Sequence, residues 1–113
     1  MHSTSLPYPW GSEDWFVQNE KVTVKLLRVK AGEALSLQYH HNRDEFWKII
    51  EGNPEIIIGE ETMHPHPGDE FFIPRETKHR ITAKDDNLLV LEIARGDFDE
   101  KDIVHLEDKY NRV

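Results

Sequence analysis

The chain has 113 residues, which is the length of a single domain and too short for a two-domain enzyme. Twenty-two Asp and Glu against 14 Lys and Arg give a net charge of -8, which argues against binding to nucleic acid or to an anionic membrane surface. The chain has no cysteine, which excludes disulfides, thiolate metal sites and a cysteine nucleophile.

The predicted elements, in chain order, are an arm, a β-barrel and a tail within one domain of residues 1–113. Residues 1–18 lack the basic and apolar regions of a signal peptide and predict an extended arm around residues 7–11. Residues 19–96 alternate between short apolar runs and turn residues, which is typical of an all-β sandwich or barrel. We predict its strands at 21–29, 34–40, 45–51, 55–58, 61–64, 70–73, 79–83 and 88–94. The acidic residues 97–113 predict a capping tail or a short helix.

No apolar run is long enough to cross a membrane, so we expect a cytoplasmic protein with no membrane partner. Strand alternation adds an expectation about association. If Gln38 and His40 face inward, an outward apolar face follows on two neighbouring strands. That face would consist of Leu35, Leu37, Tyr39, Phe46, Lys48 and Ile50. We expect the aromatic arm or a second subunit, and hence a homodimer, to cover it.

Four polar residues have the spacing of a metal site. Gln38 and His40 lie two apart on one predicted strand, so their side chains share a face. The polar turn after them brings Glu45 alongside on the next strand, and a proline stop places His79 at the start of a later strand. Nitrogen and oxygen ligands of this kind suit Zn²⁺, Mn²⁺, Co²⁺, Ni²⁺ or Fe²⁺.

These residues lie in two segments that resemble the paired metal-binding motifs of the cupin superfamily. The first runs Gly32, Gln38, His40, Glu45 and Gly52, and the second runs Gly68, Pro74, Glu76 and His79. Most cupins have His at the position of Gln38 and Gly at the position of Glu76. The resemblance implies a double-stranded β-helix, or jelly-roll barrel, that holds one divalent metal ion.

Several further stretches resemble the isomerase domain of the type II, bifunctional phosphomannose isomerase and mannose-1-phosphate guanylyltransferase. They are Pro9-Trp-Gly-Ser12, Leu35-Ser-Leu-Gln-Tyr-His-His41, Ile73-Pro74, Lys78-His-Arg80, Asp102-Ile-Val104 and Glu107-Asp108. The chain departs from this family at Tyr8, Leu26, Asn42, Phe46 and His105. The guanylyltransferase half, with its Gly-rich nucleotide loop, is absent from this sequence, so nucleotidyl transfer does not carry over.

The resemblance implies a metal-dependent sugar-phosphate isomerase that interconverts mannose 6-phosphate and fructose 6-phosphate. Zinc is the family's expected ion, and no separate organic cofactor is expected. The metal would hold the C1 and C2 oxygens of an enediolate while a base moves a proton between the carbons. The sugar phosphate is the expected small-molecule partner.

The catalytic residues that we predict are His41, Arg80 and Lys48. His41 is the histidine nearest to the ligands in sequence, and cations are needed for the phosphate group. The candidate cations are Arg80, Lys78, Arg75, Arg43 and Lys48. Strand parity turns Arg80 away from His79 unless the strand bulges.

Two other functions stay open from the sequence. One is a different metal-dependent reaction on the same barrel, such as that of an Fe(II) oxygenase. The other is a non-catalytic module that binds a sugar or another ligand. His64 and His66 are predicted to be exposed turn residues, and Trp47 shares the parity of Glu45, so it is predicted to line the pocket.

Overall fold

The computed structural model describes residues 3–110, in which every regular element is a β-strand. The strands are β1 Thr4–Tyr8, β2 Gly11–Trp15, β3 Val22–Val29, β4 Leu37–Tyr39, β5 Arg43–Glu51, β6 Glu55–Ile58, β7 Glu61–Met63, β8 Glu70–Ile73, β9 His79–Thr82, β10 Leu88–Gly96 and β11 Val104–Glu107. The all-β prediction is confirmed. Residues 3–110 contain no helix of the length and apolar character needed to cross a membrane.

Two antiparallel sheets enclose the core. One has the order β3-β10-β5-β8 and the other the order β11-β4-β9-β6-β7. Trp47, Ile49 and Val90 from the first sheet meet Ile56 and Ile81 from the second, and all five are fully buried. Alternation along β5 places Trp47 and Ile49 on the same inward face as Glu45, so one strand supplies both the core and a polar site.

The predicted arm is a β-hairpin instead of an extended segment. β1 and β2 pair antiparallel around a turn at Pro9 and Trp10, with Gly11 at φ 147°, a value that glycine adopts readily. The hairpin is tied to the barrel because the Ser3 hydroxyl donates to the Glu70 carboxylate at 2.6 Å. This hydrogen bond holds the hairpin against the outer face of the first sheet.

The outward apolar face that we predicted is only partly realised. Phe46 is fully buried because the Phe16 ring, just after the hairpin, packs on it at 5.7 Å between centroids. Ile50 remains 39% exposed. The prediction for Leu35 is wrong: it packs against the interior core, because regular β structure begins only at Leu37 and alternation does not hold before it.

Residues 97–110 of the predicted tail contribute a strand and no helix. β11 pairs with β4, with His105 opposite Gln38, and thereby covers what would otherwise be the sheet edge next to the ligand strand. Val104 and Leu106 alternate with polar neighbours, which is the pattern of a strand and not of a helix turn. The predicted arm and tail also include residues 1, 2 and 111–113, which lie outside the described residues.

Candidate metal centre

Three neighbouring elements position the four predicted ligands. Gln38 lies on β4 directly opposite His79, the first residue of β9. His40 follows β4, and Glu45 is the third residue of β5, just beyond the tight turn at residues 41–42. The site is therefore built where two strands of one sheet face a strand of the other.

The side chains of His40, Glu45 and His79 converge in the interior. They are 3%, 2% and 2% exposed, and their ligand atoms all lie within 4.8 Å of one another. Glu45 Oε1 is 3.0 Å from His79 Nε2 and 3.5 Å from His40 Nε2. Three polar groups buried at this spacing need a cation or protons between them, because facing lone pairs repel.

Backbone carbonyls fix the orientation of both imidazole rings. The Nδ1–H of His40 donates to the Asp102 carbonyl at 2.6 Å, and the Nδ1–H of His79 donates to the Thr77 carbonyl at 2.9 Å. A neutral imidazole held in this way presents the lone pair of Nε2 to the centre of the site. Both histidines are thus set in the tautomer that a metal ion requires.

Gln38 supplies the observation that tests the fit of a metal. Its Oε1 atom is buried and has no hydrogen-bond donor among the described residues. The same is true of Glu45 Oε1. A divalent ion would satisfy both oxygens and the two Nε2 lone pairs at once. The four residues therefore fit a divalent metal, with two nitrogen and two oxygen ligands.

A second buried carboxyl lies beside Glu45. Burial raises the pKa of Glu45, but its contacts with His40, His79 and Glu92 outweigh burial and hold this pKa well below its usual value. For Glu92, burial and then the negative charge of Glu45 raise the pKa to about 8. The Nε1–H of Trp47 donates to Glu92 Oε1 at 3.2 Å and fixes that carboxyl in place.

Three of the ligands, Gln38, His40 and Glu45, open into a cavity of about 260 Å³. Its wall consists of Lys25, Leu27, Leu35, Gln38, His40, Arg43, Glu45, Glu92, Phe98, Glu100 and Ile103. Sequence reasoning missed Lys25, Glu92 and Phe98. A signal existed for Lys25 and Glu92, because each is a charged residue at an inward position of a mostly apolar strand.

The three predicted catalytic residues do not line this cavity. Arg80 faces outward, where its Nε donates to the Leu35 carbonyl at 3.2 Å and its Nη2 to the Glu107 carbonyl at 3.1 Å. Lys48 also faces outward, 3.6 Å from Glu70. His41 is exposed and packs edge-on against Tyr39. Their catalytic roles stay predictions that this placement does not favour.

The remaining predicted residues lie where their parity or turn position indicates. Trp47 faces inward, as its parity indicates, and is buried against the His79 ring, 5.3 Å between centroids, but it is not among the residues that line the cavity. His64 and His66 are both exposed. His105 lies on β11, where its Nδ1 and the Ser36 hydroxyl are hydrogen-bonded at 2.7 Å.

Comparison with known proteins identifies the family. The family model described as mannose-6-phosphate isomerase C-terminal matches residues 1–108. The chain belongs to this family. Within the family, the chain is 36% identical over 107 residues to the xanthan biosynthesis protein XanB of Xanthomonas campestris pv. campestris, covering 93% of this chain and 23% of that protein.

Other relatives are likewise much longer proteins, of which this chain matches one part. The mannose-1-phosphate guanylyltransferase ManC of Salmonella typhimurium is 34% identical over 107 residues, which is 93% of this chain and 22% of ManC. The chain thus spans less than a quarter of these relatives. The oxalate decarboxylase of Bacillus subtilis has a TM-score of 0.69 at 24% identity, covering 77% of this chain and 24% of that chain. This likeness establishes the cupin fold alone.

Proposed function

We propose that this chain is a metal-dependent aldose-ketose isomerase domain that interconverts mannose 6-phosphate and fructose 6-phosphate. The observation that carries the proposal is the buried trio of His40, Glu45 and His79, with both Nε2 lone pairs facing the carboxylate. The family of isomerase C-terminal domains supplies the substrate class. The name of ManC refers to nucleotidyl transfer, but this chain covers only 22% of ManC. That activity is therefore not part of the proposal.

The metal would be held by Gln38, His40, Glu45 and His79. Once bound, the ion would supply Lewis-acid stabilisation of negative charge on the sugar oxygens next to the reacting carbons. Zinc remains the first expectation, and Mn²⁺, Co²⁺, Ni²⁺ and Fe²⁺ are compatible with the same donor atoms. The chain itself contributes ligands that are buried from water and fixed in orientation. The carbonyls of Asp102 and Thr77 accept hydrogen bonds from the two imidazoles and keep either ring from rotating.

Glu92 is the group placed to move the proton between the carbons. It lies in the cavity wall next to Glu45, and the indole of Trp47 aims its carboxyl. His41, Arg80 and Lys48, by contrast, point away from the cavity, so their contact with a bound sugar would require rearrangement. A positioned carboxyl that takes and returns a proton typically contributes ~10²–10⁴-fold to rate.

The experiment is an isomerase assay with mannose 6-phosphate on protein stripped of metal and reloaded separately with Zn²⁺, Mn²⁺, Co²⁺ and Fe²⁺. We expect turnover that returns with metal, that is absent in His79→Ala, and that falls at least ~100-fold in Glu92→Gln with metal still bound. Metal binding without turnover of any hexose phosphate would contradict the isomerase and favour a ligand-binding module. The predicted homodimer and cytoplasmic location stay predictions.

A further inference from the structure

The buried cluster of His40, Glu45 and His79 has a positively charged neighbour, the side chain of Arg43. Arg43 is the first residue of β5, and alternation along the strand turns it to the same inward face as Glu45. Its side chain is 6% exposed. Because a guanidinium keeps its proton in proteins, Arg43 places a permanent positive charge beside the candidate ligands.

Arg43 contacts two of these ligands. Nη2 donates to His40 Nε2 at 3.3 Å, and Nε lies 3.8 Å from Glu45 Oε2. A buried carboxylate without a counter-charge is strongly destabilising, and a neighbouring guanidinium offsets part of that cost. Arg43 thus supplies, from within the chain, the positive charge that ionised Glu45 needs.

The contact with His40 uses the atom that a metal ion would need. The Asp102 carbonyl accepts the proton on Nδ1 of His40, so Nε2 carries the single lone pair of the ring. That lone pair can accept the N–H of Arg43 or bind a metal ion, but it cannot do both at once. The guanidinium and a metal ion therefore compete for His40, and the repulsion between two cations at close range adds to this competition.

Two further contacts would hold Arg43 after it released His40. Nη1 donates to the Asp99 carbonyl at 3.2 Å, and Cζ lies 4.4 Å from the centroid of the Phe98 ring. Both partners lie in the segment between β10 and β11, which also includes Asp102. Release of His40 would thus break one hydrogen bond and leave the cation–π contact and the Asp99 hydrogen bond in place.

We propose that Arg43 is the internal cation of the metal-free site. It neutralises Glu45 and occupies the lone pair of His40 until a divalent ion displaces it from the histidine. This inference rests on the proposed function for the metal ion itself. It assigns Arg43, which the sequence offered as one candidate cation for the phosphate group, to the metal ligands instead. As a positioning residue that acts through His40 and Glu45, Arg43 stabilises the metal-free protein and lowers its affinity for metal.

The test compares Co²⁺ binding and urea unfolding of the unaltered chain with those of Arg43→Met. We expect the dissociation constant for Co²⁺ to fall about 10-fold in Arg43→Met, because the ion no longer displaces a charged hydrogen bond. In a chelator, the urea midpoint of this variant should lie below that of the unaltered chain, because Glu45 has lost its counter-charge. Saturating Co²⁺ should narrow this gap. If Arg43 only packed against the ligands, its removal would lower the metal affinity as well as the stability.

Lys25→Met is the matched control for charge. Lys25 lines the same cavity, with its Nζ 4.4 Å from the centroid of the same Phe98 ring, and lies on β3 directly opposite Glu92. Its removal should raise Co²⁺ affinity less than the removal of Arg43 does. Arg43→Lys keeps the charge and loses the fork, so its Co²⁺ affinity should lie between those of the unaltered chain and Arg43→Met. This second variant carries the test if Arg43→Met does not fold.

Unchanged or weaker Co²⁺ binding in the folded Arg43 variants would overturn the inference. An equal gain of affinity in Lys25→Met would also overturn it, because the effect would then reflect only the total charge of the cavity. Absence of Co²⁺ binding in the unaltered chain and in every variant would overturn the metal centre together with this inference. Arg43-dependent Co²⁺ binding without isomerase turnover would remove the isomerase and leave the role of Arg43 standing, so the failures are distinguishable.

Discussion

At the scale of single residues, Glu76 occupies a backbone conformation that disfavours it. Its φ is 63°, in the left-handed region, at a position where most cupins have glycine. The strained turn has a function, since the Glu76 N–H donates to the His40 carbonyl at 2.6 Å. The left-handed residue Glu76 is thus hydrogen-bonded directly to the predicted ligand His40.

Replacement of this residue by glycine should stabilise the protein. A left-handed non-glycine residue costs ~1–2 kcal/mol, and the greater freedom of unfolded glycine returns part of that, so Glu76→Gly should gain ~0.5–1 kcal/mol. Urea unfolding measures the change. Asn19→Gly, at φ 55°, is the control and should gain less, because asparagine tolerates this region. A Glu76→Gly variant less stable than the parent would contradict this account of the turn.

Asp102 acts on a predicted ligand without belonging to the site. Its carboxylate accepts the N–H groups of His41 and Asn42, both at 2.9 Å, while its carbonyl accepts Nδ1–H of His40. The hydrogen bond from His41 holds the pKa of Asp102 below its ordinary value. One residue of the β10–β11 segment therefore fixes the whole turn that carries His40.

Removal of this carboxylate should weaken metal binding more than it weakens the fold. Asp102→Ala keeps the carbonyl that accepts Nδ1–H of His40 but removes the carboxylate that holds the N–H groups of His41 and Asn42, so we expect metal affinity to fall about 10-fold, the lower end of the cost of losing an orienting partner outright. Competition with a chromophoric chelator measures it. Asp99→Ala is the matched control, because Asp99 caps only the Lys101 N–H in the same segment. Equal metal affinity in both variants would show that Asp102 does not orient His40.

At the scale of elements, strand alternation predicted much and failed at identifiable places. It predicted the inward face of β5 and hence Glu45 and Trp47 correctly, because that strand keeps an unbroken register with β10 over residues 43–49. It failed at Leu35, which precedes the regular part of β4. It also could not reveal β11, since four residues of weak alternation in an acidic segment carry too little local signal to compete with a tail or helix.

The candidate site, like the fold, could be predicted only where local sequence patterns carry the information. The motif spacing brought out Gln38, His40, Glu45 and His79, three of which the structure places within 4.8 Å of one another. Lys25 lies on β3, outside both motifs, so only the sheet order β3-β10-β5 brings it to the cavity. Long-range register of this kind is not contained in local patterns.

The hairpin of β1 and β2 should stabilise the barrel through one aromatic contact. Phe16 seals the fully buried Phe46, so Phe16→Ala should cost ~2 kcal/mol of unfolding free energy. Urea unfolding of the single and double variants with Phe46→Ala should give a smaller cost for Phe16 once Phe46 is removed. Trp10→Ala, at a 69% exposed side chain, should be nearly neutral. A neutral Phe16→Ala would mean that the hairpin does not cover the sheet.

At the scale of the whole molecule, the paired carboxyls of Glu45 and Glu92 set how the metal-free protein responds to pH. The pKa of Glu92 in the folded chain is about 8, against an ordinary 4.5. Its contribution to stability is therefore complete below pH 4.5 and is lost as the pH rises toward 8. Glu45, with its lowered pKa, behaves in the opposite way, and its contribution is lost only as the pH falls below 4.5.

Between pH 5 and pH 8 the Glu92 contribution should dominate this pair. We expect the unfolding free energy of the chelated protein to decline relative to Glu92→Gln, by at most about 1.4 kcal/mol per pH unit. Denaturant unfolding across this range, in a chelator, measures the two slopes. Parallel pH profiles for the two proteins would show that Glu92 is not protonated in the folded metal-free chain.

The central claim is that the buried Gln38, His40, Glu45 and His79 hold one divalent ion in a family of isomerase domains. The most direct test is an equilibrium Co²⁺ titration of the stripped chain, followed by absorbance and checked by metal analysis. We predict one ion per chain and, in His79→Ala, a loss of affinity of at least ~100-fold, because a ligand is removed outright. Failure to bind one ion per chain, or unchanged affinity in His79→Ala, would contradict the account.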